Sequence, residues 1–203
     1  MLWANARTLE HAAGRAVAIT KDSQLAQYEP ATGKVTTRDI IVNGSKLEVT
    51  SVPTWILTPD ARGAYLRLMS DAILYEIDLM GQGAAISAVS HGKMIEGKQP
   101  DSRCALALSP DGWLYNVIRV DNETGYGSGH LHHLVRFHPR SKKKEDLGVL
   151  AVKNPDFFDF QGNDGSKPPW SHGYHTLPDR TLTPLHSHMG LVAANDGALY
   201  VTI

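Results

Sequence analysis

One pattern constrains this sequence more than any other: a short apolar run, a tight turn and a second apolar run, three times along the chain. Trp55-Ile56-Leu57-Thr58 meets Pro59-Asp60-Ala61-Arg62-Gly63 and continues from Ala64 to Met69. Ala105 to Ser109 meets Pro110-Asp111-Gly112 and continues from Trp113 to Val120. Gly190 to Ala194 meets Asn195-Asp196-Gly197 and continues from Ala198 to Ile203. Proline presets φ for a turn, aspartate caps it through its side chain, and glycine supplies positive φ. Each segment therefore reads as a β-hairpin.

A second hairpin accompanies the first in three places. Leu25 to Tyr28 leads through Glu29–Lys34 into Val35 to Ile41; Ile73 to Glu76 leads through 78–83 into Ala84 to Val89; Leu134 to Phe137 leads through His138–Lys143 into Leu147 to Val152. The aromatics Tyr28, Tyr75 and Phe137 are expected at equivalent places on the third strands. Two hairpins make a four-stranded antiparallel unit, A-B-C-D, and a period of about 40–50 residues is that of β-propeller blades. The expected fold is all-β: one β-propeller fragment over 1–203, an incomplete ring with blade parts at 17–41, 55–89, 105–152 and 190–203. A β-sandwich is the alternative that short antiparallel strands leave open. Two stretches break the period, the B–C loop 121–129 and the long insert 151–185. Loops of that length inside a compact domain usually carry function or are disordered.

Composition bounds the rest. The chain has 203 residues, 42% of them hydrophobic, enough for a real core. A net charge of −1 gives no general attraction to nucleic acid or to an anionic membrane. No apolar run approaches the roughly 20 residues of a membrane-spanning helix. Residues 1–14 lack the pattern of a signal peptide. The single cysteine, Cys104, excludes an internal disulfide and reads as a small buried hydrophobe. Leu199 to Ile203 reads as the middle of a strand, so the expectation is a fragment that needs further blades or self-association to cover its open faces. The compartment is unknown from this sequence.

Blade topology sorts the ten histidines. Strands alternate in direction, so A–B and C–D turns share one face, and B–C loops and D-to-A connections share the other. His91, His130, His132, His133, His172, His175, His186 and His188 map to the second face, with both long loops; of the other two, only His138 falls clearly on the first. In an extended segment, residues i and i+2 point to one side. His186 and His188 could therefore reach one divalent transition metal (zinc, manganese or iron), with His172 as a further ligand. The other reading is two histidines paired with backbone or carboxylate groups. In Trp170-Ser171-His172-Gly173-Tyr174-His175, Trp170 and Tyr174 offer flat faces for stacking on a sugar ring. His172, His175 and Tyr174 are the candidate acid, base or positioning groups. The plain alternative is an insert that pins itself down with its aromatics. The basic turn Arg140–Lys144 reads as a solvated hairpin tip, neutralised in part by Glu145 and Asp146. Gly125–Gly129 reads as a flexible loop, since no helix follows a strand there to make a phosphate cradle.

The turns at Ser109 to Tyr115 and Tyr28 to Lys34 resemble those of gluconolactonase-like propellers. His186-Ser187-His188, ahead of an innermost strand and its Asp-Gly turn, resembles the metal motif of oligogalacturonate-lyase-type propellers, with Thr183 where that motif has glutamine. The resemblance implies a propeller fold and, in its sharpest form, a metal-dependent polyuronate lyase. The broader expectation is a module that binds or acts on a glycan through the histidine-rich face. The alternative is a non-catalytic scaffold for protein interaction.

Overall fold

The computed structural model describes residues 14–51, 53–97, 100–102, 104–125, 129–151, 177, 179, 181–184 and 190–202, and of 9–10 and 174–176 the backbone alone. Every regular element among them is a strand. The chain forms two compact units, Met1–Met94 and Ile95–Ile203.

Unit 1 holds β1 (Leu9–Glu10), β2 (Ala16–Ile19), β3 (Gln24–Glu29), β4 (Lys34–Val42), the short β5 (Ser45–Lys46), β6 (Pro53–Leu57), β7 (Gly63–Leu68), β8 (Ile73–Asp78) and β9 (Ala85–Lys93). The strands β1 to β4 and β6 to β9 are two blades, each a run of antiparallel neighbours. The sequence analysis expects separate blades, but here the two outer strands join. Asp39–Val42 of β4 pairs in parallel with Ala85–Ala88 of β9, making one continuous sheet. The edge of β4 that faces away from β3 would otherwise be bare, and β9 covers it. On the other edge, beyond Asp39 where β4 outruns β3, the cover is β5, folded back by Asn43-Gly44, both at positive φ. Val17, Ile19, Leu25 and Ile40 of the first blade meet Trp55, Leu66, Leu68 and Ile77 of the second in one buried cluster. Each such side chain, fully buried, contributes about 1.5–3 kcal/mol.

Unit 2 holds β10 (Ala107–Leu108), β11 (Leu114–Asp121), β12 (His130–His138) and β13 (Lys143–Val149) as a four-stranded blade, then β14 (Tyr174–Thr176) paired with β15 (Leu182–Pro184), and β16 (Gly190–Ala193) paired with β17 (Leu199–Thr202). The innermost strand β10 is only two residues long, and Asn116 accounts for this. Its side-chain amide donates to the carbonyls of Ala105 (3.0 Å) and Cys104 (3.4 Å), taking the place of a ladder there. Cys104 is buried in an apolar cluster with Ala105, Tyr115, Val117 and Leu191, as a small hydrophobe should be.

Register identifies what repeats. Tyr28 lies opposite Ala16 and Phe137 opposite Leu114, but the matching residue of the second blade, opposite Ala64, is Ile77. Tyr75 sits two residues earlier, so the expected equivalence of Tyr28, Tyr75 and Phe137 is corrected. The aromatic that recurs is on strand B: Tyr65, Tyr115 and Tyr200 lie opposite Ile56, Ala107 and Val192. A second shared feature is a β-bulge on strand D. Register slips by one between Leu74/Tyr75 and β9, and again between His133/Val135 and β13. The extra residues fall beside Gly92 and Gly148, both at positive φ. Two blades with a bulge and a glycine at matching places are copies of one unit.

Candidate functional site

A formed cleft lies at the B–C end of the blade in unit 2. Strands β11 and β12 pair from Leu114↔Phe137 to Asp121↔His130. Residues directly opposite each other share a side of the sheet. Val120 with Leu131 and Ile118 with His133 therefore face one way and Arg119 with His132 the other, while Asp121, in the last pair of the ladder, lies at the mouth of the cleft.

The first side carries a cleft of about 510 Å³, lined by Gly97, Val120 and Leu131 below and by Asp121, Glu123, Thr124 and His133 at its rim. Gly97 lies at φ +149, and a Cβ there would stand 3.2 Å from Val120 Cγ1, so glycine keeps the floor open. The rim is ordered by local bonds. Asn122 Oδ1 accepts from Thr124 N (2.9 Å) and Thr124 Oγ1 (2.6 Å), and Asn122 N donates to Gly129 O (2.9 Å), closing the base of the B–C loop. The loop read from sequence as flexible is thus tied at both ends; 126–128 lie outside the described residues. His133 Nδ1 is 2.9 Å from Asp146 Oδ2 on β13. That bond orients the ring and assigns the Nδ1 proton to the carboxylate side in the neutral tautomer.

On the other side of the sheet β15 lies against β12. His132 is 1% exposed, and its Nδ1 donates to Pro184 O at 3.0 Å. His130 stands edge-on to it at 5.2 Å. Strand β15 is buried from Leu182 to Pro184. Within it, Thr183 is fully buried and its Oγ1 has no hydrogen-bond partner among the described residues.

The residues singled out in the sequence fall as follows. Trp170, His172, His186 and His188 lie outside the described residues. Tyr174 and His175 are in β14, with backbone partners Pro184 and Thr183, and their side chains lie outside the description. His91 is not in a connection between blades. It belongs to strand β9 at the bulge, its ring 5% exposed and 2.9 Å from Glu76 Oε2, because the bulge turns it onto the sheet. Among the described residues no group of three or more His, Cys, Asp or Glu side chains could hold a metal ion. The basic turn is solvated as expected: Lys143 pairs with Glu145 at 2.5 Å, and Lys143 first and Arg136 second hold that carboxyl below its usual range. The sequence reading missed the cleft itself. Its signal was Asp121 and Glu123 at the start of the B–C loop, with Asp121 ending the strand that pairs with the histidine-bearing β12.

No protein-family model matches the chain, and no curated protein matches it. Among solved structures, a protein of unknown function from Bacteroides thetaiotaomicron is similar over 96% of this chain at 13% identity and a TM-score of 0.51. This chain spans 37% of that structure's length. Weaker likenesses include an auxiliary nutrient binding protein from Bacteroides ovatus (TM-score 0.48, 15% identity, 97% of this chain and 45% of that one). Another is the β-propeller domain of Myceliophteria thermophila Swd1 (TM-score 0.43, 14% identity, 70% and 39%). The fold is all-β, built of four-stranded propeller-type blades, and it is the register of the strands that says so. No helix among the described residues is long and apolar enough to cross a membrane.

Proposed function

We propose that this chain is a carbohydrate-binding propeller module whose ligand enters the cleft at the B–C end of the unit 2 blade. The observation that carries the reading is the cleft's division of labour. Val120 and Leu131 offer an apolar floor for the C–H face of a sugar, while Asp121, Glu123, Thr124 and His133 offer acceptors and donors for hydroxyls. Its volume of about 510 Å³ lies in the range of small-ligand sites. Trp170 and Tyr174 of the insert are proposed as additional stacking surfaces.

Charge refines the ligand class. With Asp121 and Glu123 on the rim and Asp146 behind His133, the cleft repels a polyuronate unless a cation stands between them. The described residues do not fit a metal centre, so a metal held by His172, His186 and His188 rests on their spacing in sequence. A neutral oligosaccharide is therefore the favoured ligand, and binding rather than β-elimination is the proposed activity. The test is calorimetric titration with neutral oligosaccharides and with oligogalacturonate, on the wild type and on Asp121→Asn, His133→Ala and Trp170→Ala. Saturable binding of a neutral sugar that weakens at least tenfold in Asp121→Asn supports the reading. Binding of neither class, by a protein whose circular dichroism is normal, refutes it in favour of an interaction scaffold.

A further inference from the structure

A second cleft, in unit 1 and independent of the site above, lies between the C–D turns of the two blades. It has a volume of about 520 Å³ and is lined by Arg15, Lys34 and Arg38 against one carboxylate, Glu29. Its construction is specific. Arg38, on β4, donates from Nη1 to the carbonyls of Gly81 and Gly83 in the facing turn, and from Nη2 to Oε1 of Gln27. Gln27 is itself 4% exposed, and its amide donates to Leu79 O at 3.2 Å, so the acceptor that holds Arg38 is fixed in turn. Arg15 reaches Glu29 Oε2 from Nε at 2.7 Å, which leaves the Nη edge of its guanidinium directed away from that bond. Burial lowers the Arg38 pKa below its ordinary value, and the neighbouring Arg15 lowers it further. Lys34 forms no ion pair among the described residues. Thr36, on the same side of β4 as Arg38 and opposite Gln27, adds a hydroxyl donor.

The three cations Arg15, Lys34 and Arg38 still outnumber the carboxylates near them, Glu29 and, beside Arg38, Asp78, and such an excess is relieved when a multiply charged anion enters. Arginine forks and lysine ammonium are the usual partners of phosphate oxygens. We propose that this cleft is a binding site for a small phosphate-bearing ligand, with Arg15 and Lys34 as the contacting cations and Arg38 as the group that holds the two turns apart at the right spacing.

The probes are inorganic phosphate and acetate, titrated by NMR into the full chain at low ionic strength. The proposal expects saturable shifts confined to residues 15, 27–38 and 81–84, with phosphate at least tenfold tighter than acetate because of its second charge. Arg15→Gln and Lys34→Gln each leave the fold intact, since neither side chain is buried, and each should weaken phosphate at least fivefold. The double variant should abolish saturation. Shifts that do not saturate, an affinity equal for both anions, or a phosphate affinity untouched by both variants would overturn it. A spectrum of Arg15→Gln/Lys34→Gln that matches wild type in the β6–β9 signals verifies that any loss is not unfolding.

Discussion

Thr183→Val is the substitution whose sign is least obvious from sequence and best defined by structure. Thr183 is fully buried in β15, and its hydroxyl has no hydrogen-bond partner among the described residues. A buried hydroxyl left unpaired costs about 1–3 kcal/mol relative to one that is solvated or bonded. Valine has nearly the same shape, so the exchange removes the polar atom without opening a cavity. Some relaxation in the wild type offsets part of the penalty, and we take about 1 kcal/mol as the expected gain. For a chain of this size that raises the melting temperature by about 2–4 °C. Thr183→Ser keeps the hydroxyl and removes a methyl, and should lose about 0.8 kcal/mol, the worth of one buried carbon. Differential scanning calorimetry of the three proteins gives the order Val, Thr, Ser. If valine melts below wild type by a similar margin, the hydroxyl has a partner, and the packing of the insert against His132 needs redrawing.

Other substitutions probe the blades. Gly63→Ala would put a Cβ 2.6 Å from the backbone oxygen of Ile77, forcing β7 and β8 apart; a loss of about 1–3 kcal/mol in chemical denaturation is expected, while Gly129→Ala, with nothing within 4 Å, should be neutral. Burial first, then Glu76, pushes the Tyr65 pKa up to about 12 from an ordinary 10. The folded form therefore keeps its proton where the unfolded chain has lost it, so this contribution is complete below pH 10 and disappears as pH rises through 12. Tyr65→Phe should flatten the fall of melting temperature over that window, and an unchanged slope would contradict the assignment. Val192 and Tyr200 are each 61% exposed on the β16–β17 hairpin, and their joint replacement by threonine should reduce self-association measured by light scattering.

The hairpins were legible in sequence because their turn chemistry is local. Pro110-Asp111-Gly112 bends as its residues demand: Gly112 sits at positive φ and its N–H donates to Ser109 O at 2.9 Å. Asn43-Gly44 carries an equally strong signal that the sequence reading passed over, since the strand after it is only two residues long. What local chemistry cannot reveal is register. Tyr75 resembles Tyr28 by its neighbours, yet Ile77 occupies the matching place, because pairing across strands fixes equivalence and spacing to a turn of different length does not. The parallel union of β4 and β9 was illegible for the same reason, as it depends on which strand edges meet in space and leaves no local signal. The cleft of unit 2 was half legible: the loop 121–129 and His133 were assigned to one face from topology, but the pairing of His133 with Asp146 depends on the register of β12 and β13 and has no local signal.

The measurement that bears most directly on the binding account is hydrogen exchange with mass spectrometry, with and without a saturating neutral oligosaccharide. The account predicts slowed exchange in peptides covering Val120–Thr124 and Leu131–His133 at the cleft, and no change at the A–B turn Pro110–Gly112 on the opposite face. Protection centred on that turn, or none at any saccharide concentration, would contradict it.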